Sequence, residues 1–345
     1  MTPLRFWSRS APPPTLTIRE ILRGCTTGRM QSVGIMQVIP LVSDIEDTRI
    51  VPPEEAVVST VGYGTFLFEN PTGRLMLVPS HAGYMSKEAV QDHAMGSAAF
   101  VRPEKQRRYD RAMCIQETQA GLMGAKRRKM VILPLSLRRP ALVMRDKGRY
   151  SRLWDDIRSF NSEGGLDTPG NLVQFLNHYR SELEQFVAEF ELVPGQIGAI
   201  VLVAGEVVGV ERAPSQAYWA SVWEPLIRTC YGAYAINVGR KIGFVPETRN
   251  PLRSADSLDG LADALREAEA ADEKSARTKV RSLLEDPFHV DRVETQHGYD
   301  LDTIRNDQFI GQVARDGLHV VYASLVIGEQ WMTGKDWRAA STFDI

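Results

Sequence analysis

Three groups of side chains could carry chemistry. The first is basic: Arg102, Lys105, Arg107, Arg108 and Arg111, then Lys126-Arg127-Arg128-Lys129, then Arg138-Arg139. Guanidinium forks match phosphate or carboxylate oxygens two at a time, and Tyr109 stands in the first run as a stacking surface. The plainer reading of such runs is solvated surface or ion pairs between subunits. The second group is Val210-Glu211-Arg212-Ala213-Pro214-Ser215, which leaves a strand and enters a helix. Free N–H groups at a helix start suit an anion; a cap with a local ion pair is the alternative. The third group is histidine. His81 and His93 are twelve apart and His178, His289, His297 and His319 are scattered, without an HxxxH or HxxE pattern, so no metal site is expected. Serine, histidine and aspartate are all present, but no GxSxG elbow places them as a triad.

Those groups need elements to position them. From Val33 to Val143 the pattern is mostly strand: Val33 to Val42, Phe66 to Glu69, Leu75 to Pro79, Met130 to Leu137 and Ala141 to Met144. Pro71-Thr72-Gly73 is a hairpin signal, and Gly62 and Gly64 flank Tyr63 as a bulge rather than a phosphate loop. Leu172, Phe175, Leu176, Tyr179, Leu183, Phe186, Val187 and Phe190 recur at helical steps, so one long amphipathic helix is expected between Thr168-Pro169 and Pro194-Gly195. A buried strand from Ala199 to Ala204 turns at Gly205-Glu206 and returns from Val207 to Glu211. Ser215 caps a second helix, which Pro225 should kink or restart. A charged helical excursion at about 254–286 ends at Pro287, and a last hairpin, Phe309 to Ala314 and Leu318 to Val326, turns at Asp316-Gly317.

Composition narrows the class. The chain has 345 residues, 41 basic and 43 acidic side chains, and 43% hydrophobic residues. At that length about 75% of the unfolded surface can be buried, so the core needs no disulfide or metal. A net charge of −2 argues against a surface built wholly for DNA or anionic membrane. Cys25, Cys114 and Cys230 are far apart and odd in number, which suits a reduced compartment, here cytoplasmic. The longest apolar run, Ile197 to Ala204, falls far short of the about 20 residues a membrane helix needs. Residues 1–15 carry Pro12-Pro13-Pro14 and lack a signal-peptide pattern, so they are expected to form an extended arm ahead of one α+β domain at 16–345.

Several segments together resemble an uncharacterised family, the domain associated with ADP-ribosylglycohydrolases and rhodanese/phosphatase proteins. The matching pieces are Leu16 to Leu41, Gly124-Ala125-Lys126 with the strand Met130 to Pro134, and Gly148-Arg149-Tyr150. Gly198 to Trp223 and Phe309-Ile310-Gly311 through to Leu325 complete the likeness, which covers nearly the whole chain. The departures bear on function. Family members tend to carry Cys and Glu before a Gly-Arg-Trp motif, where this chain has Met144, Asp146 and Tyr150; amides follow their Gly-Ala-Lys, where this chain has Arg127 and Arg128. Losing a thiol removes a possible nucleophile.

The architecture expected is α+β: mostly antiparallel sheet with packed amphipathic helices. The function expected first is a non-enzymatic assembly or binding protein, a structural component of a phage particle being its narrower form. Its partners would be other protein subunits held through the arm, with a phosphate-containing ligand as a further possibility, and no cofactor is expected. The alternative is an enzyme or sensor of ADP-ribose-type nucleotides. Lys126, Arg127, Arg149 and Arg212 would then bind the ligand, and Asp146 or Glu211 would act as general base. Carboxylates ordinarily titrate near 4, so such a base needs a raised pKa or a metal. A second alternative is a nucleic-acid-binding protein using the arginine runs.

Overall fold

The computed structural model describes residues 16–85, 92–118, 126–127, 129–243 and 258–328. The expected arm at 1–15 lies outside them.

One large antiparallel sheet organises the chain. Its strands lie in the order Thr26–Thr27, Met36–Val42, Gln196–Val203, Glu206–Arg212, His319–Ile327, Phe309–Asp316, Tyr299–Arg305 and His289–Gln296, and Gln31–Val33 folds back on Met36–Val42. Gln196–Val203 is buried at every position, as a run of apolar residues covered on both faces should be. Ala204 and Gly205 both take positive φ, at 50° and 79°, which is the turn geometry that suits the right-handed twist of a two-residue hairpin. Three smaller sheets lie between Ile50 and Ile132. One pairing, Ile50–Val51 with Leu75–Val78, is parallel; the other ladders among the described residues are antiparallel. The fold is therefore α+β, as the patterning predicts.

The expected strand Met130 to Leu137 holds only to Ile132, and its end together with the expected strand Ala141 to Met144 is helical instead. Leu135–Val143 forms an α-helix that follows the strand Lys129–Ile132 and Pro134. Its buried side chains, Leu135, Leu137, Arg138, Ala141 and Leu142, follow a helical stripe. Pro140 inside this segment is what makes it look like strand and turn in the sequence. The long amphipathic helix is two helices, Leu172–His178 and Arg180–Glu189, broken at Tyr179. At the break the buried Tyr179 hydroxyl donates to the Gly164 carbonyl at 2.5 Å. Patterning also misses two further helices, Trp154–Glu163 and Ala233–Ile242, and the strand pair His289–Gln296 with Tyr299–Arg305.

Elsewhere the expected punctuation holds. The Ser215 hydroxyl accepts from Tyr218 N–H and caps the helix Gln216–Pro225. After Pro225 the backbone widens into a π-helical segment, Leu226–Gly232. The Thr229 hydroxyl stands 2.8 Å from Pro225 O and 2.7 Å from Ile132 O, and its one proton can go to either. A register shift at Gly62 marks the bulge beside Tyr63. The charged helix, Leu258–Leu283, rests on the sheet through Ala276, Val280 and Leu283, while its first half is largely exposed. Leu137, Ala141, Ile157, Phe160, Phe175 and Leu183 form a separate apolar cluster among the helices between residues 135 and 189.

Candidate functional site

The densest concentration of unusual features is an interior polar cluster around Arg138. This guanidinium is 0% exposed. Nη1 donates to Glu211 Oε1 at 2.6 Å and to Cys230 Sγ at 3.4 Å; Nε donates to His81 Nδ1 at 3.2 Å; Nη2 donates to the Ser324 hydroxyl. Tyr231 donates its hydroxyl to the same Glu211 oxygen at 2.7 Å.

The partners arrive from separate elements, only Cys230 and Tyr231 sharing one, and several of these elements are locally irregular. Arg138 comes from a helix carrying an internal proline. Cys230 and Tyr231 come from the π-helical segment, a wider turn that often accompanies functional sites. Glu211 comes from the strand Glu206–Arg212, where a Cβ on Gly209 would overlap the Tyr231 hydroxyl. Glycine at 209 is thus what lets the tyrosine reach the carboxylate. His81 has φ of +67°, a conformation that costs a non-glycine residue energy and clusters at functional positions.

Burial sets the protonation states. Desolvation, helped by repulsion from Arg138, pushes His81 well below its ordinary value, so the ring is neutral. Its Nδ1 accepts from Arg138, which puts the proton on Nε2, a buried atom with no hydrogen-bond partner among the described residues. Burial pushes the Cys230 thiol up to about 12, against the pull of Arg138, so it is protonated at neutral pH. Burial, with Glu211 adding to it, holds the Tyr231 hydroxyl well above its usual value. Burial disfavours charge on Arg138, but Glu211 beside it outweighs that and holds the guanidinium firmly charged. The adjoining cavity is about 20 Å³ and is lined by Ser80, Arg138, Glu211, Tyr218, Trp219 and Ser324 among others. That is room for about one water molecule.

The other residues proposed from sequence are dispersed. Arg212, next to Glu211, is buried and donates to Ile21 O at 2.6 Å and Arg23 O at 2.8 Å, closing the end of the short helix Ile18–Ile21. Asp146 lies on another surface, with Arg111 on Oδ1 at 2.8 Å and Arg292 on Oδ2 at 2.7 Å. Arg149 is exposed three residues further on. The backbone of Lys126–Arg127 pairs with Ser59 and Val58, but the side chains at 126 and 127 lie outside the described residues. Tyr109, the expected stacking surface, is buried, with its hydroxyl 3.1 Å from that of Ser97. Arg138 is likewise interior, where the sequence placed it in a solvated basic run. Its position on the stripe with Leu135 and Leu142 is the signal that could have shown this.

Among the described residues no group of three or more His, Cys, Asp and Glu side chains is placed to hold a metal ion. Among them, too, no helix is long and apolar enough to cross a membrane.

The family model described as the ARG and Rhodanese-Phosphatase-superfamily-associated Protein domain matches residues 24–314. The chain belongs to that family. No curated protein and no solved structure matches it. The family span contains His81, Arg138, Glu211, Cys230 and Tyr231 but ends before Ser324. Most of the interior cluster is therefore built from the family domain, and its last donor-acceptor partner comes from the closing strand His319–Ile327.

Proposed function

We propose that the chain is a non-enzymatic binding or assembly protein. The observation that carries this reading is that Glu211 is already engaged by the groups around it inside the interior cluster. Glu211, the carboxylate best placed to act as a base, already accepts from Arg138 and from Tyr231. The neighbouring thiol is held protonated, and the thiolate is the nucleophilic form. A general base must come within hydrogen-bond reach of the proton it takes, and a cavity of about 20 Å³ admits no substrate to Glu211. Asp146 has a guanidinium on each oxygen. These arrangements favour a scaffold whose polar groups hold elements together over a site that turns over a nucleotide.

The narrower form of the reading, a structural component of a phage particle, draws on the proline arm and on the exposed, charged first half of Leu258–Leu283. Size-exclusion chromatography with light scattering tests it, on the full chain and on a chain starting at Thr15. The expected result is assembly of the full chain and a monomer from the shorter one. Two monodisperse monomers would remove the arm as an assembly element, and steady turnover of ADP-ribose or NAD by the full chain would overturn the non-enzymatic reading itself.

A further inference from the structure

A second arginine cluster gathers around the half-exposed Asp146, with Arg145 near enough to the first cluster to repel charge on His81. Arg111 and Arg292 hold the two oxygens of Asp146, and Arg145 Nε stands 3.9 Å from Oδ2. Arg292 also reaches Glu294 at 2.7 Å. Arg152 donates to the backbone carbonyls of Arg111 at 2.7 Å and Arg145 at 3.3 Å, and Arg107 to Phe100 O and Gln296 Oε1, each at 2.5 Å. Three guanidinium groups thus share two carboxylates, and Arg107 and Arg152 stand beside them on neutral acceptors. Arg145 also donates through Nη1 to Leu142 O at 2.7 Å, and the Nε groups of Arg145 and Arg152 are buried without a hydrogen-bond partner among the described residues. Burial lowers the pKa of Arg145, Arg107 and Arg152 alike; Arg292 adds repulsion at Arg145, as Arg111 does at Arg107.

An aromatic platform adjoins this surplus. Tyr63, 55% exposed at a hairpin tip, stacks on Tyr150 with ring centroids 4.9 Å apart, and Tyr150 meets the Trp154 ring edge-on. One face of Tyr63 is taken by Tyr150, so its exposure belongs to the rest of the ring. The platform is tied to the arginines through the backbone: Gly64 O accepts from Ala112 N at 2.9 Å, one residue past Arg111, and Tyr150 lies two residues before Arg152. Gly64, at φ of +70°, is needed there, because a Cβ would press on Ala112 O and Tyr150 Cβ.

The geometry points to a binding site for a nucleoside phosphate: the phosphate bridges Arg111, Arg145 and Arg292 in competition with Asp146, and the base stacks on Tyr63. Asp146, half-exposed, is the internal stand-in that keeps the guanidinium groups apart when no ligand is bound. Guanidinium forks and flat aromatic faces are the two groups that recognise such a molecule. The inference does not depend on whether the chain assembles.

Titration calorimetry on the full chain tests it with ATP, inorganic tripolyphosphate and a single-stranded oligonucleotide bearing a 5′-phosphate. ATP should bind, with affinity falling as salt rises. Arg292→Gln should weaken ATP by about tenfold, and Asp146→Asn should strengthen it by a similar factor, since a competing carboxylate is gone. Tyr63→Ala should weaken ATP several-fold and leave tripolyphosphate unchanged. The opposite signs expected at Arg292 and Asp146 separate a ligand role from a folding defect, which would weaken both variants. Absence of ATP binding, or an unaltered affinity in Arg292→Gln, overturns the site. Equal binding of ATP and tripolyphosphate with no effect of Tyr63→Ala overturns the nucleoside assignment. Competition by the oligonucleotide assigns the phosphate to a strand end, and its failure to compete assigns it to a free nucleotide; either result, with ATP bound, supports the site.

Discussion

Arg138 and the Asp146 surface use the same chemistry, guanidinium against carboxylate, to opposite ends. In the interior one arginine has one carboxylate, and its remaining donors are taken by His81, Cys230 and Ser324. Around Asp146 three arginines share two carboxylates, and the Asp146 side chain is 50% exposed. A buried charge must be fully paired because the desolvation penalty is several kcal/mol per ion. A half-exposed one can stay under-paired, since water and salt screen it. Charge matched one to one therefore marks the structural site, and the tolerated surplus marks the one with capacity left for a ligand.

The comparison breaks most sharply if the interior pair is cut. Glu211→Gln leaves Arg138 charged and buried without its counter-ion, and one-sided removal of that kind costs about 3–5 kcal/mol. Urea denaturation should show the midpoint falling accordingly. The double variant Arg138→Met with Glu211→Gln removes the orphaned charge and should be less destabilised than Glu211→Gln alone. If the single variant costs less than about 1 kcal/mol, the site behaves like an exposed pair and the contrast fails.

Alkali probes the same interior next. Cys230 and Tyr231 have folded pKa values raised by burial, so the unfolded chain gives up these protons first. The native state binds more protons across that range, and stability must fall as pH rises. For the thiol the window runs from 9.0 toward about 12. The urea midpoint should decline through it, and Cys230→Ala should make the decline shallower. A midpoint that is flat with pH in both proteins would contradict the buried, protonated thiol.

Tyr231→Phe should cost less than losing the ion pair. It deletes one hydrogen bond to a charged group, worth about 1.5–3 kcal/mol, while Arg138 stays on Glu211. Gly209→Ala reaches the same bond from the other side, because the added Cβ would displace the hydroxyl. Similar losses from both variants would assign the effect to that single contact.

How much of this was legible in the sequence differs between the two sites. The strand from Ala199, the Ser215 cap and the final hairpin could be read because each depends on local pattern, and the structure has them. Leu135–Val143 could not, since Pro140 signals a break locally while packing around Leu137 and Ala141 makes a helix. Glu211 could be singled out as a carboxylate leaving a strand, but its partner is 73 residues away. Nothing near Arg138 in sequence announces an ion pair in the core. At the surface, Asp146 and the run from Arg102 to Arg111 were both visible, yet the stacking residue was misplaced. Alternation along Lys105–Tyr109 turns Tyr109 inward, and Tyr63, set apart only by the glycines around it, supplies the exposed ring.

The smallest effect on stability is expected at Asp146, and it is the sharpest control. Asp146→Asn removes one negative charge, as Glu211→Gln does, but from a half-exposed site where Arg111 and Arg292 can turn to water. The cost should be below about 1 kcal/mol and should shrink further as salt is added. Neutralising it also leaves Arg111 and Arg145 without a carboxylate and Arg292 with Glu294 alone, so the variant should become more sensitive to multivalent anions than the parent chain. Sulfate and phosphate, compared with chloride at equal ionic strength, should raise its melting temperature more than they raise that of the parent. At Glu211 no anion can enter to replace the lost carboxylate, because the adjoining cavity of about 20 Å³ is too small. Recovery by added anion at Asp146 and none at Glu211 would separate a surface waiting for a ligand from an interior closed around its own charges.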